Sequence, residues 1–302
     1  MTRPGRLHPS PEAALLPAAL AVFNDLAQRG LAHRWAMSVR SSQTFALNLF
    51  APLDADGIRD VLSLIGLDAA RTEPAVFEWS DPDDRLRERR PGSPHTTQVD
   101  VVLRGVSPTG VRLAALIEVK FTEVDFGECS AYANPANPHP EVCNSAGLFG
   151  SQPDQCFQLA NHGEGRRRYD TYLSGIPIVL PTGANDDGGC LVRRGRSQPM
   201  RNLALAHLLL AEREADRVAY VVCAPSAHET IWRRFSEVRA AFPDTAERTV
   251  RPLIAEQVAG LQPDGGGALA DHYPTNGLSW ATSGRRSARD ARAPATTTQR
   301  AP

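Results

Sequence analysis

Three residues in this chain have the types and spacing to do chemistry on a phosphate group. They are Asp100 in the run Thr97-Gln98-Val99-Asp100-Val101-Val102-Leu103, and Glu118 and Lys120 in Ala115-Leu116-Ile117-Glu118-Val119-Lys120-Phe121. Both runs read as strands. Side chains along a strand repeat every two residues, so Glu118 and Lys120 share one face while Ile117, Val119 and Phe121 take the other. A charged pair in an otherwise apolar strand is costly unless each charge has a partner. On an adjacent antiparallel strand Asp100 comes alongside Glu118, and neighbouring carboxylates repel unless a cation sits between them. The economical reading is a Mg²⁺ site, with Mn²⁺ as a substitute, because Mg²⁺ takes one or two carboxylates, keeps several waters and accepts phosphate oxygens. Lys120 would neutralise charge near a scissile phosphate and hold or help deprotonate the attacking water. The plainer reading is a solvated hairpin face with an incidental Glu–Lys pair.

The elements that must position these residues follow from the pattern. Ser10-Pro11-Glu12 opens a helix that runs towards Gly30. A second helical stretch carries Trp35, Val39, Phe45, Leu47 and Leu49 and ends before Pro52, and a third spans 54–66. Strands are expected at 75–79, 96–104 and 111–122, the last two joined by the turn Ser107-Pro108-Thr109-Gly110. Beyond residue 199 come a helix at 203–215, a buried strand at 217–223, an amphipathic helix at 227–242, and a short strand and helix within 250–261.

Asp, a gap, then Glu-X-Lys on a helix–three-strand–helix–strand plan resembles the PD-(D/E)XK nuclease superfamily. Ser41-Ser42-Gln43 with Asn48-Leu49-Phe50-Ala51-Pro52-Leu53 is similar to a helix before the sheet in restriction-endonuclease-like members, and Arg201-Asn202 opening a later helix is similar to their following one. The resemblance covers roughly residues 35–262. Val99 stands where the motif's name has proline. The resemblance implies an α/β (α+β) fold with a central mixed sheet flanked by helices. It also implies Asp100 and Glu118 as metal ligands and Lys120 as the catalytic lysine. A third acid often supplements such a site, and Glu78 on the first strand is the candidate. Gln43 could reach the site from the preceding helix, or serve as a cap or in packing.

Residues 125–197 are rich in Gly, Pro and Asn and weakly periodic, so they read as an irregular insert with a short helix near 154–161. Cys129, Cys143, Cys156 and Cys190 lie in it, while Cys223 sits apart in an apolar strand as a core residue. Four thiols could staple the insert with tetrahedral Zn²⁺. An iron–sulfur cluster is the other option, since some nucleases of this superfamily carry one. No C-x-x-C pair is present, His139 and His162 could substitute for one ligand, and buried free thiols are the alternative. Gln43, Gln158, the cluster Arg166, Arg167 and Arg168, and Arg201 with Asn202 are candidate nucleic-acid contacts, because amides and clustered arginines bind phosphates readily.

Bulk composition sets the limits. The 302 residues carry 33 Lys+Arg against 34 Asp+Glu, a net charge of −1, so charge alone points to neither nucleic acid nor membrane. A hydrophobic fraction of 42% supports a sizeable core. Five cysteines without a secretory leader argue against a disulfide framework and for a cytoplasmic protein, and nothing approaches a membrane span. The expected organisation is one nuclease-like domain over 1–262, including the insert, and a disordered basic tail over 263–302. The expected function is Mg²⁺-dependent cleavage of nucleic acid, most simply DNA, with a homodimer favoured if both strands are cut. A catalytically inactive nucleic-acid-binding or scaffold protein of the same fold is the alternative. A thiol-based enzyme has no recognisable Cys–His–Asp arrangement to support it.

Overall fold

A computed structural model describes residues 7–89, 96–132, 134–144, 147–149, 153–160, 165–179, 189–193 and 195–273. The chain opens with helices α1 (Pro11–Ala14), α2 (Pro17–Gln28), α3 (Ser42–Phe50) and α4 (Ala55–Leu64). Strands β1 (Arg71–Thr72), β2 (Val76–Trp79), β3 (Val99–Val106) and β4 (Arg112–Val119) follow. The insert holds short 3₁₀ turns and two short helices, α5 (Phe157–Ala160) and α6 (Tyr169–Leu173). Then come α7 (Ser197–Ala211), β5 (Arg217–Ala224), α8 (Glu229–Ala241), β6 (Arg248–Ile254), α9 (Ala255–Ala259) and α10 (Gly267–His272).

The six strands form one mixed sheet in the order β1-β3-β4-β5-β6, with β2 also paired to β3. The first part is antiparallel, as the three-strand meander requires, and β4-β5-β6 is parallel. β1 and β2 are two pieces of one edge. β1 pairs with Gly105 and Val106, and β2 with residues 99–102. Pro74 lies between them and has no N–H for the ladder, which interrupts the edge there. Gly105 is required by the close approach of β1, since a Cβ there would lie 2.8 Å from the Arg71 carbonyl oxygen.

Two cores sandwich the sheet. Alternation sends Val101, Leu103, Ile117 and Val221 to one face, under α2, α3, α4, α9 and α10. It sends Val102, Leu116, Tyr220 and Val222 to the other, under α7 and α8. α7 is apolar nearly all round, with Leu203, Leu205, Leu208 and Leu209 all buried. A helix of that kind must be covered on both sides. The insert is its outer cover, contributing Leu148, Phe157, Leu159, Tyr169, Tyr172 and Leu173 to the same core.

Three sequence expectations are corrected. Trp35 and Val39 are not helical: α3 begins at Ser42 because Ser41 caps it, accepting from the Thr44 N–H at 3.2 Å. The helix expected at 203–215 begins at Ser197, so Arg201 and Asn202 lie inside it rather than at its opening. Residues 263–273, expected as the start of a disordered tail, are ordered, for α10 and Tyr273 pack on the core. Tyr273 stacks edge-on with Phe45 and Phe121, and its hydroxyl accepts from Asn48 Nδ2 at 3.0 Å. Asn48, fully buried, also donates to the Ala14 carbonyl and accepts from Leu16 N–H. It thereby ties both ends of the described chain to α3. The rest of the expected tail, together with His162, lies outside the described residues.

Candidate active site

The β3–β4 ladder runs from Val106 opposite Arg112 to Val101 opposite Ile117. One step beyond, that register would set Asp100 against Glu118. On the other side of β3, Phe77 pairs with Val101 and Trp79 with Val99, which sets Glu78 against Asp100. The three carboxylates therefore form one row across three neighbouring strands. The strands part at this point. Asp100 uses the gap, and its Oδ2 accepts the Val119 N–H at 2.6 Å, while Lys120 N–H turns the other way to the Cys223 carbonyl at 2.8 Å.

Glu118 and Lys120 are buried at the end of β4 and held from α7. Lys120 Nζ lies 2.9 Å from Glu118 Oε1 and donates to Gln198 Oε1 at 2.8 Å. Asn202 Nδ2 donates to Glu118 Oε2 at 2.8 Å. Gln198 and Asn202 are four apart, one helical turn, so a single face of α7 fixes both charged groups. Burial opposes the charge on Lys120, yet Glu118, Glu123 and Asp100 outweigh it and raise the ammonium above the usual lysine range. Asp100 is half-buried, but enough protein surrounds it that desolvation pushes its carboxyl well above the usual range. The negative charges of Glu118 and Glu78 add to this.

Glu78 is buried and not an exposed strand residue. Its φ is +49°, a left-handed conformation that costs a non-glycine residue about 1 kcal/mol or more. The twist has a visible effect, since Phe77 packs into one core and Trp79 against the other, where plain alternation would put both on one face. Gln43 pins the carboxylate with Nε2 to Glu78 Oε1 at 2.8 Å, and His33 Nε2 lies 3.3 Å from Oε2. The hydrogen bond to Glu78 raises the imidazole of His33 above its ordinary range. Gln43 also donates to the Leu31 carbonyl and accepts from His33 N–H. Buried and engaged at both amide atoms, it positions Glu78 and also borders the cleft lined by Asp100 and Glu118.

Asp100, Glu118 and Lys120 open into a cleft of about 750 Å³ at the carboxyl ends of the parallel strands, the usual place for a site in an open α/β sheet. Asp100, Glu118, Lys120 and Gln198 line the cleft. Glu123 lines it too, hydrogen-bonded by Ser42 Oγ and accepting the Phe121 N–H at 3.0 Å. The rim carries exposed His33, Arg34, Trp35 and Arg40, with the Arg34 guanidinium 4.9 Å from the Trp35 ring centroid. Sequence reading missed His33, Gln198 and this rim. His33 carries no local signal, and Trp35 had been taken for a core residue of a helix.

The other candidate contacts lie elsewhere. Arg166 is bound to Asp154 and Asp170, Arg167 lies over Tyr169, and Arg168 lies over Tyr172. None of them, nor Arg201, lines the cleft. Gln158 is buried beside Cys129, whose thiol lies 3.8 Å from its Oε1. Asn202 is in the site but buried against Glu118, so it holds a ligand candidate and not a substrate. Among the described residues no helix is long and apolar enough to cross a membrane.

No curated protein and no solved structure matches this chain. The model of one family, described as restriction endonuclease associating with ARP, matches residues 21–259. That span contains all six strands, α3, the insert and α7. A mixed sheet flanked by helices is the architecture that such a family leads one to expect. The chain belongs to the family of restriction endonucleases associating with ARP.

Proposed function

We propose that this protein is a metal-dependent phosphodiester hydrolase of the PD-(D/E)XK type that cleaves DNA. The observation that carries the reading is the row Glu78–Asp100–Glu118, of which Asp100 and Glu118 line one cleft together with Lys120. The family match supports nuclease chemistry in general.

The donor set fits Mg²⁺ or Mn²⁺. It offers only oxygen ligands, from neighbouring strands, in an open cleft that leaves room for waters and a phosphate. The crowding of Asp100, Glu118 and Glu78 is the repulsion that a divalent cation relieves. Asp100 and Glu118 would hold the ion, which on binding polarises the phosphate and lowers the pKa of a bound water. The protein's own groups do the rest. Gln198 and Glu118 aim the Lys120 ammonium into the cleft, where it neutralises charge at the phosphate and orients the attacking water. Asn202 fixes the free oxygen of Glu118. Arg34 and Arg40 on the rim supply phosphate contacts, and Trp35 offers an exposed ring for base stacking. The five free thiols suit a reducing, cytoplasmic setting, and double-strand cutting would be done by a homodimer.

The test is cleavage of circular and linear DNA, single- and double-stranded, with Mg²⁺, Mn²⁺ or chelator. Glu118→Gln and Lys120→Ala should each lower the rate by about 10²–10³-fold or more. Parent-like cleavage by both folded variants overturns the site. Salt-dependent binding with no cleavage under any metal identifies a binding or scaffold protein instead.

A further inference from the structure

Four cysteines far apart in the chain meet in one place. Cys129, Cys143, Cys156 and Cys190 are all buried and free, and all line one small enclosed cavity of about 10 Å³. That is roughly the space of one water-sized occupant. Four different stretches of the insert deliver them, Cys143 from a 3₁₀ turn and the other three from irregular chain, in a region with little regular structure of its own. Cys190 stands at the centre. Its proximity adds to the burial that raises the thiols of Cys129, Cys143 and Cys156, the last to about 12. Its backbone N–H donates to the Cys143 carbonyl at 3.0 Å. Gly147, at φ +54°, packs against it so closely that a Cβ would fall 2.5 Å from the Cys190 sulfur. Arg193 also borders the cavity, held by Asn144 at 2.6 Å and lying 3.7 Å over the Tyr132 ring.

We propose that Cys129, Cys143, Cys156 and Cys190 form a four-thiolate metal centre that takes Zn²⁺. Chance burial of free thiols would scatter them through the core, as Cys223 is placed alone in β5. Instead the insert gathers all four of its cysteines around a void the size of one ion. Among the described residues no group of three or more His, Cys, Asp or Glu stands arranged to hold a metal ion in this structure. To hold the ion the four side chains would have to close on it, each thiol giving its proton to solvent. Arg193 balances part of the net negative charge of the filled centre.

The centre would serve the site described above. Met200 lines the same cavity, on α7 between Gln198 and Asn202. The start of α7 is tied to the insert by Ser197 N–H to the Gly127 carbonyl and Gln198 N–H to the Phe126 carbonyl. The ion therefore anchors the helix that holds Lys120 and Glu118.

The experiment is elemental analysis and absorption spectroscopy of the full chain purified without oxygen or chelator, independent of any cleavage assay. About one zinc per chain is expected. Cys190→Ser should lose it and lower the thermal midpoint, while Cys223→Ser should keep it. About four irons with acid-labile sulfide would keep the four-thiolate centre and replace zinc by a cluster. Metal at trace level in the parent protein, or disulfides among the four cysteines, overturns the proposal even if Cys190→Ser fails to fold. Metal content stands or falls whether or not the chain cleaves DNA.

Discussion

Asn202 donates its side-chain amide to Glu118 Oε2 across 2.8 Å, and both residues are buried. A helix thus holds the one carboxylate oxygen that Lys120 leaves free. Asn202→Ala would leave that oxygen without a donor, at a cost of about 1–3 kcal/mol. As a positioning residue it should also matter for metal use. Cleavage should fall about 10–100-fold, and the Mg²⁺ concentration for half-maximal rate should rise. A variant that loses stability but keeps the parent's Mg²⁺ dependence would make Asn202 a packing residue only.

The Glu118–Lys120 pair, with each side chain only 3–4% exposed, makes a second prediction. Lys120→Met removes the cation and leaves a buried negative charge, which costs about 3–5 kcal/mol in chelator. Adding Glu118→Gln to it removes the stranded charge and should recover most of that loss, while cleavage stays abolished. Urea denaturation of the two single variants and the double variant measures this coupling. Additive losses would show that the two groups do not interact in the folded chain.

The rim separates binding from chemistry. Arg34 and Arg40 are exposed and border the cleft, so replacing both with alanine should leave the thermal midpoint unchanged. DNA affinity should weaken across all sequences, and the slope of log K against log salt should shrink by about 2. The same double change at Arg166 and Arg168, which lie outside the cleft, should leave the slope alone. The reverse result would return the interface to the insert.

His207 on α7 gives a pH signature. Burial, then the neighbouring Arg248 charge, lowers its imidazole to about 4, and Nε2 has no hydrogen-bond partner among the described residues. Between about pH 6.5 and 4 the unfolded chain binds a proton that the folded chain does not. Stability from this group is therefore intact above pH 6.5, falls as pH drops through that window, and falls no further below it. The loss is on the order of 2 kcal/mol after allowance for solvent screening. His207→Gln should flatten that part of the urea-midpoint profile. An unchanged profile would assign the acid sensitivity to other groups.

The sequence determined the strands and the placing of Asp100, Glu118 and Lys120 on two neighbouring ones, because these are local properties. Period-two alternation around Glu118 and Lys120, β-branched runs at Val99–Val106 and a Ser-Pro-Thr-Gly turn do not depend on distant partners. The insert's irregularity and the isolation of Cys223 were legible for the same reason. What surrounds the triad was decided by tertiary structure. Gln198 and Asn202 are 78 and 84 residues from their partners, and no periodicity links them. Glu78 turns inward only because its φ is positive, a strain that local pattern does not encode. The arginines of 166–168 look like a phosphate patch in one dimension, but folding gives Arg166 to acids of its own insert and leaves the rim to Arg34, Trp35 and Arg40. The convergence of four cysteines without a C-x-x-C pair likewise exists only in three dimensions, since the turns that bring them together are set by the surface of α7 they cover.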